Sequence, residues 1–133
     1  MTGDIAFALD GFPSDAELAP LWLAAWGSQL RPGYAKQLER GLCHATAREP
    51  TAHRLIGFVN VATDGGAHAF LLDTTVHPDV QRRGIATELV HLVTAEARRR
   101  GAEWLHVDCE PRLAQFYAAC GFRPTAAGLI ALR

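Results

Sequence analysis

The segment Val76-His77-Pro78-Asp79-Val80-Gln81-Arg82-Arg83-Gly84-Ile85-Ala86-Thr87 sets two arginines and a glycine at the entrance to an amphipathic stretch. That is chemistry for an anion. A helix N-terminus leaves its first N–H groups unsatisfied and carries about half a positive charge, so it takes phosphate where side chains leave the backbone accessible. Gly84 and Ala86 provide that access, and Arg82 and Arg83 add cationic donors. On these residues alone the segment is either a phosphate site or an ordinary glycine turn with two solvated arginines. It is not the nucleotide-triphosphate loop, because the GxxxxGK(S/T) spacing is absent, nor a dinucleotide fingerprint, which needs three glycines.

Three further residues could move protons. Asp73 lies in Leu71-Leu72-Asp73-Thr74-Thr75-Val76, where strand alternation puts Asp73 and Thr75 on one face and Thr74 and Val76 on the other. An acid in mid-strand is unfavourable unless something uses it. Asp73 is therefore a substrate binder or base, or else a solvent-facing acid on an antiparallel strand. Glu110, just before Pro111, is a second candidate base or a helix-start acid on the dipole. His106 is a third candidate for proton transfer, or is simply a strand histidine. The six histidines, at 44, 53, 68, 77, 91 and 106, lack metal-ligand spacing, so no metal is expected. Cys109 and Cys120 fall in a strand and on an apolar helix face, where buried inert thiols are expected. Trp22, Trp26 and Trp104 read equally as core or as the wall of a substrate pocket.

The elements that must hold these residues can be read from pattern and punctuation. The 133 residues, 49% of them apolar, make one domain with one core. With 13 basic and 14 acidic side chains the net charge is −1, so no global field recruits nucleic acid or an anionic membrane. The cluster Ala97-Arg98-Arg99-Arg100 is too short to argue otherwise. Three cysteines without close spacing, and no basic-then-apolar leader, point to a reducing cytoplasmic setting. Residues 4–9 read as a first strand. Ser14 and Glu17 form a capping box ahead of Leu18, Leu21, Trp22, Ala25 and Trp26 at helical spacing, although Pro20 can bend that helix or delay its start. A short helix follows over 32–40, then strands over 42–49 and 54–64, and a third over 67–77 after the Gly65-Gly66 turn. Ile85, Leu89, Leu92, Val93 and Ala97 stripe a long helix, 103–109 is a strand, and Leu113, Phe116, Tyr117 and Cys120 line one face of a last helix. Residues 126–132 are expected to supply a final strand.

The order strand, loop, helix, strand over 67–109 is a crossover unit that sets its two strands side by side. Within it, Val76 to Val90 resembles the acyl-CoA pyrophosphate loop of the GNAT acetyltransferase superfamily, whose signature Gln/Arg-x-x-Gly-x-Gly/Ala is matched by Gln81, Gly84 and Ala86. The preceding Val76-x-Pro78 and the downstream Phe116-Tyr117-Ala118-Ala119-Cys120-Gly121-Phe122 are similar to two further pieces of that family. The resemblance spans roughly residues 55–123. It implies an acyl-CoA whose pyrophosphate sits on the N–H groups of Arg82, Arg83, Gly84, Ile85, Ala86 and Thr87, beside Gln81. Its pantetheine arm would pair with the main chain of Thr74, Thr75 and Val76.

Acyl transfer to an amine with a pKa near ~10 needs a group that takes a proton from the amine and a group that returns one to the thiolate. The resemblance implies Tyr117 as the group that protonates the thiolate, although a tyrosine on that stripe would pack whether or not it reacts. Asp73 stands where many amine acetylases of the family carry an acid. Where most relatives have an asparagine seven residues before the tyrosine, this chain has Glu110; where they have a strand glutamate, His106 is the nearest match. The expected fold is therefore a single α/β GNAT-like domain over 1–133, its mixed, mostly antiparallel sheet splayed between the fourth and fifth strands and flanked by about four helices. The expected function is transfer of acetyl from acetyl-CoA to a small-molecule or protein amine, by direct attack in a ternary complex, with Tyr117, Asp73 and Glu110 as the catalytic candidates. A non-catalytic acyl-CoA-binding module is the alternative, and a homodimer is left open.

Overall fold

The computed structural model of the protein describes residues 4–133. Ser14 accepts from the Glu17 N–H while the Glu17 carboxylate reaches back to the Ser14 N–H, the reciprocal pair that the sequence pattern called for. It opens α1 (Asp15–Trp26), which runs through Pro20 and ends at Gly27 in the left-handed conformation. A strand β1 (Ala6–Leu9) precedes it. The next helix is shorter than expected: α2 (Tyr34–Gln37) passes into a 3-10 turn over Leu38–Arg40. Its N-terminal N–H groups are taken by α1, since Asp15 accepts from the backbone of Gly33 (3.0 Å) and Ala35 (2.7 Å).

Then come β2 (Cys43–Arg48), β3 (Leu55–Thr63) and β4 (His68–Val76), a 3-10 turn at Pro78–Val80, α3 (Ile85–Arg99), β5 (Trp104–Val107), another 3-10 turn at Pro111–Leu113 and α4 (Ala114–Ala119). The strands form one sheet in the order β1-β2-β3-β4-β5. The first four are antiparallel to their neighbours and β5 runs parallel to β4. The strand expected over 126–132 does not form. Ladder hydrogen bonds need a partner edge, and this segment pairs with no strand; Leu129, Ile130 and Leu132 are 88%, 82% and 95% exposed. No helix among the described residues is long and apolar enough to cross a membrane.

Two apolar layers clamp the sheet. On one face Ile85, Leu89, Val90 and Val93 of α3 pack on Ala45, Ala47, Val59, Val61, Ala69 and Leu71. On the other, Leu18 and Leu21 of α1 meet Tyr34, Leu38 and Phe58. The closest approach in the first layer is at Gly57: a Cβ there would lie 3.0 Å from Ile85 Cγ2, 3.0 Å from Leu89 Cδ1 and 3.2 Å from Ala47 Cβ. Helix and strand meet at that distance only because residue 57 has no side chain.

The far end of α3 is tied by charge. Glu96 accepts from Arg99 (2.6 Å) and Arg100 (2.7 Å), and Arg100 also bonds Asp10 and the carbonyl of Leu42. Arg99 first and Arg100 second hold the Glu96 carboxyl down to about 2. A depressed carboxylate contributes stability above its ordinary pKa and loses it as pH falls through the folded value.

Two outcomes are expected. Gly57→Ala forces α3 off the sheet and lowers stability by about 1–3 kcal/mol, measured by denaturant unfolding; an unchanged midpoint would contradict the close-approach account. Glu96→Gln lowers the melting temperature at pH 7, and that deficit shrinks between about pH 4.5 and 2 as the wild-type carboxyl is protonated. A deficit that stays constant down to pH 2 would show that the charge contributes nothing.

Candidate active site

At the end of β4 the chain turns a tight corner. The His77 N–H bonds the Ile56 carbonyl (2.8 Å), the Val80 N–H bonds the His77 carbonyl (3.0 Å), and His77 Nδ1 accepts from the Asp79 N–H (3.1 Å). Val80 is buried as the plug of this turn. Beyond it Gln81, Arg82, Arg83 and Gly84 are exposed. Arg82 has φ 66° and Gly84 φ 76°, so two left-handed residues bracket Arg83 and aim successive N–H groups to one side. Gly84 is the N-cap of α3 and offers no side-chain cap, while the first intrahelical bond runs from Glu88 N–H to Gly84 O (3.0 Å). The N–H groups of Ile85, Ala86 and Thr87 are therefore open to an external acceptor. Every arginine ion pair among the described residues uses Arg48, Arg54, Arg99, Arg100 or Arg112, which leaves Arg82 and Arg83 unengaged.

The sheet opens next to this loop. β4 and β5 pair from His68↔Trp104 to Leu71↔Val107, and there β5 ends while β4 runs on to Val76. Opposite β3 the ladder changes register: Phe58 pairs Thr75 and Asn60 pairs Leu72, so β4 holds one extra residue. Asp73 sits in that bulge with φ 59°, a conformation that aspartate tolerates better than most residues.

Three consecutive side chains of the bulge reach three helices. Tyr34 of α2 donates its phenolic hydrogen to Asp73 Oδ2 at 2.6 Å. Trp26 Nε1 of α1 donates to Thr75 Oγ1 at 3.0 Å, and that hydroxyl donates in turn to the Asp73 carbonyl at 2.9 Å. Thr74 points the other way, towards the Tyr117 phenol of α4. Burial raises the Tyr117 hydroxyl above its ordinary range and the Thr74 hydroxyl partly offsets this, so the phenol is protonated at neutral pH. Phe116 and Phe122 fix its ring by edge contacts at 4.9 and 5.7 Å. Burial first, and then the hydrogen bond to Asp73 and its charge, hold the Tyr34 hydroxyl far above its ordinary range.

Glu110 and His106 have other partners. Glu110, exposed, pairs with Arg112 at 2.8 Å on the surface. His106 meets His68 at 2.8 Å between ring nitrogens and stacks on Phe70 at 4.9 Å, on the open face of β4 and β5. The residues brought together around the opening are thus Thr74, Thr75, Tyr117 and Asp73. Tyr34 and Trp26 join them from α2 and α1, and no sequence pattern had marked Tyr34 for chemistry. Of the thiols, Cys43 is pushed up to about 11 by burial, and Cys120 is raised for the same reason, so both are protonated and inert.

A family model described as acetyltransferase (GNAT) family matches residues 13–122. An uncharacterized N-acetyltransferase of Porphyra purpurea is 28% identical over 75 residues, which is 56% of this chain and 43% of the relative; the chain spans less than half of that protein's length. A probable acetyltransferase of methicillin-resistant Staphylococcus aureus has the same fold, with a TM-score of 0.82, 20% identity, and 97% of this chain and 98% of that one covered. So does an aminoglycoside N-acetyltransferase solved with CoA, with a TM-score of 0.75, 17% identity, and coverage of 97% and 94%. The family match runs from just before α1 to the phenylalanine that packs on Tyr117, and over that span the chain belongs to the acetyltransferase (GNAT) family.

Proposed function

We propose that the protein transfers an acetyl group from acetyl-CoA to an amine, by direct attack in a ternary complex. The observation that carries this reading is the placement of a buried, protonated Tyr117 beside Thr74, at the point where β5 has left β4, with the Asp73 carboxylate reached from the opposite side. An acid and a base on two sides of one opening are what aminolysis of a thioester requires.

The donor set fits the cosubstrate. The open N–H groups of Arg82 to Thr87, with Gln81 and the unengaged Arg82 and Arg83, suit a pyrophosphate. The main chain of Thr74 to Val76, past the last β4–β5 pair, suits an extended amide-bearing arm. Acetyl-CoA, when bound, supplies the activated acetyl group. The chain's residues then handle the protons. Asp73 takes one from the arriving ammonium and passes it to solvent. Tyr117 gives its proton to the departing sulfur and recovers one from the nitrogen as the amide forms, so one proton is released per turnover. Of the two candidate bases, Asp73 is the one we assign, because Glu110 is held on the surface by Arg112. The three free cysteines are in keeping with a reducing cytoplasmic setting.

Tyr117→Phe keeps the packing and removes the acid, so kcat falls on the order of a hundredfold while calorimetry finds acetyl-CoA affinity unchanged. No change on any amine would instead support a non-catalytic acyl-CoA binder. Replacing both Arg82 and Arg83 by Ala weakens acetyl-CoA binding by roughly tenfold or more. If the wild type neither binds acetyl-CoA nor gains exchange protection at the 82–87 amides in its presence, the reading is wrong.

A further inference from the structure

The Asp73 carboxylate is held by one oxygen and offered by the other. Oδ2 accepts the 2.6 Å bond from Tyr34, whereas Oδ1 takes part in no hydrogen bond among the described residues. Tyr34 is only 5% exposed and its ring is wedged against Trp22 (5.1 Å) and Phe58 (5.9 Å), so its hydroxyl cannot swing away. The Asp73 backbone is fixed separately, through its carbonyl, by Thr75 and hence by Trp26. Direction and register of the carboxylate are therefore both set before any ligand arrives.

Apolar groups lie beside it. The Trp26 indole, bonded to Thr75, is 48% exposed, and Leu72, next to Asp73 in β4, is 40% exposed. The carboxylates that form ion pairs among the described residues are those of Asp10, Glu17, Glu49, Asp79, Glu96 and Glu110; Asp73 has no cation. A half-buried carboxylate with a preorganised orientation, one free oxygen and no counterion is a receptor for a cation. An exposed indole beside it suits a cation or the apolar group that carries one.

We propose that Asp73, oriented by Tyr34, and Trp26 form the acceptor subsite, selecting a primary ammonium carried on an apolar body over a polyhydroxylated amine. This rests on the acetyl-transfer reading above and names its substrate class. The nitrogen docks on Oδ1 and loses its proton there, breaking N–H and forming O–H. The neutral amine then forms the C–N bond as the C–S bond breaks. Tyr34 is a positioning residue: it touches Asp73 and not the substrate.

The test compares 2-phenylethylamine, 2-phenylethanol and glucosamine on wild type, Tyr34→Phe, Trp26→Ala and Asp73→Asn, with acetyl-CoA binding followed by calorimetry. Wild type is expected to acetylate 2-phenylethylamine with kcat/KM at least tenfold above glucosamine. Trp26→Ala brings that ratio down towards one. Tyr34→Phe, which leaves the core volume almost unchanged, raises KM for 2-phenylethylamine about tenfold with acetyl-CoA affinity unaltered, a split that mere loosening of the fold would not produce. Binding has its own readout: with CoA present, 2-phenylethylamine quenches indole fluorescence, 2-phenylethanol does not, and the quench is lost in Trp26→Ala and in Asp73→Asn. Acetyl-CoA binding and amine acetylation without preference for the apolar body, or with Tyr34→Phe indistinguishable from wild type, would overturn the subsite and leave acetyl transfer standing. Failure to bind acetyl-CoA at all would overturn both.

Discussion

Everything at the opening depends on one irregularity in β4. Because β4 carries an extra residue opposite Phe58–Asn60, the backbone at Asp73 adopts φ 59° and three successive side chains leave the strand towards three helices. In a regular strand Asp73 would share the face of Ala69 and Leu71, which pack under α3; the bulge turns it to the α1–α2 face instead. The bulge is bonded to α2 through Tyr34 and to α1 through Trp26, and its Thr74 neighbours Tyr117 of α4. Strain of this size, of order 1–3 kcal/mol, persists only where surrounding bonds over-determine it. The bonds at Asp73 and Thr75 supply that over-determination.

The N-terminal end of α3 rests on a different constraint. α3 can start at the carboxyl end of β4 only because Gly57 lets Ile85 and Leu89 sit directly on β3. That contact fixes the height of the helix N-terminus above the sheet, and so fixes where the N–H groups of Ile85 to Thr87 point. The other end of the same helix is locked by Glu96 to Arg99 and Arg100, and by Arg100 to Asp10. Held at both ends, α3 presents its bare first turn as a rigid donor set. The net charge of the whole chain is irrelevant to it, because Arg82 and Arg83 make the positive field locally.

The two faces of the sheet divide the chemistry between them. The α3 face is built from aliphatic residues packed to full burial and supports the loop. The α1–α2 face is aromatic and only partly closed, and the half-exposed Trp26 leaves room beside Asp73. Tyr117 packs with the α3 face and Asp73 is bonded to Tyr34 on the α1–α2 face, so the two lie on opposite faces of the sheet.

Local chemistry was legible from the sequence: the Ser14–Glu17 box, the α3 stripe, the loop with Gly84 and Ala86, and the ordering of the crossover unit. Each is written in residues a few positions apart, where backbone geometry alone relates them. The family's loop and its Tyr117 segment were legible for the same reason. The strand expected over 126–132 was not formed, because an apolar run specifies extended backbone but cannot specify an edge to receive it. Nor was the Tyr34–Asp73 bond legible, since its partners are 39 residues apart and neither period nor composition links them. The sequence by itself determined that α3 opens on a glycine after two arginines and that an acid stood in β4. Only the tertiary structure decided which way that acid faces, which of its oxygens is held and what lies beside it, because these follow from a one-residue register shift and from helices packed across the sheet.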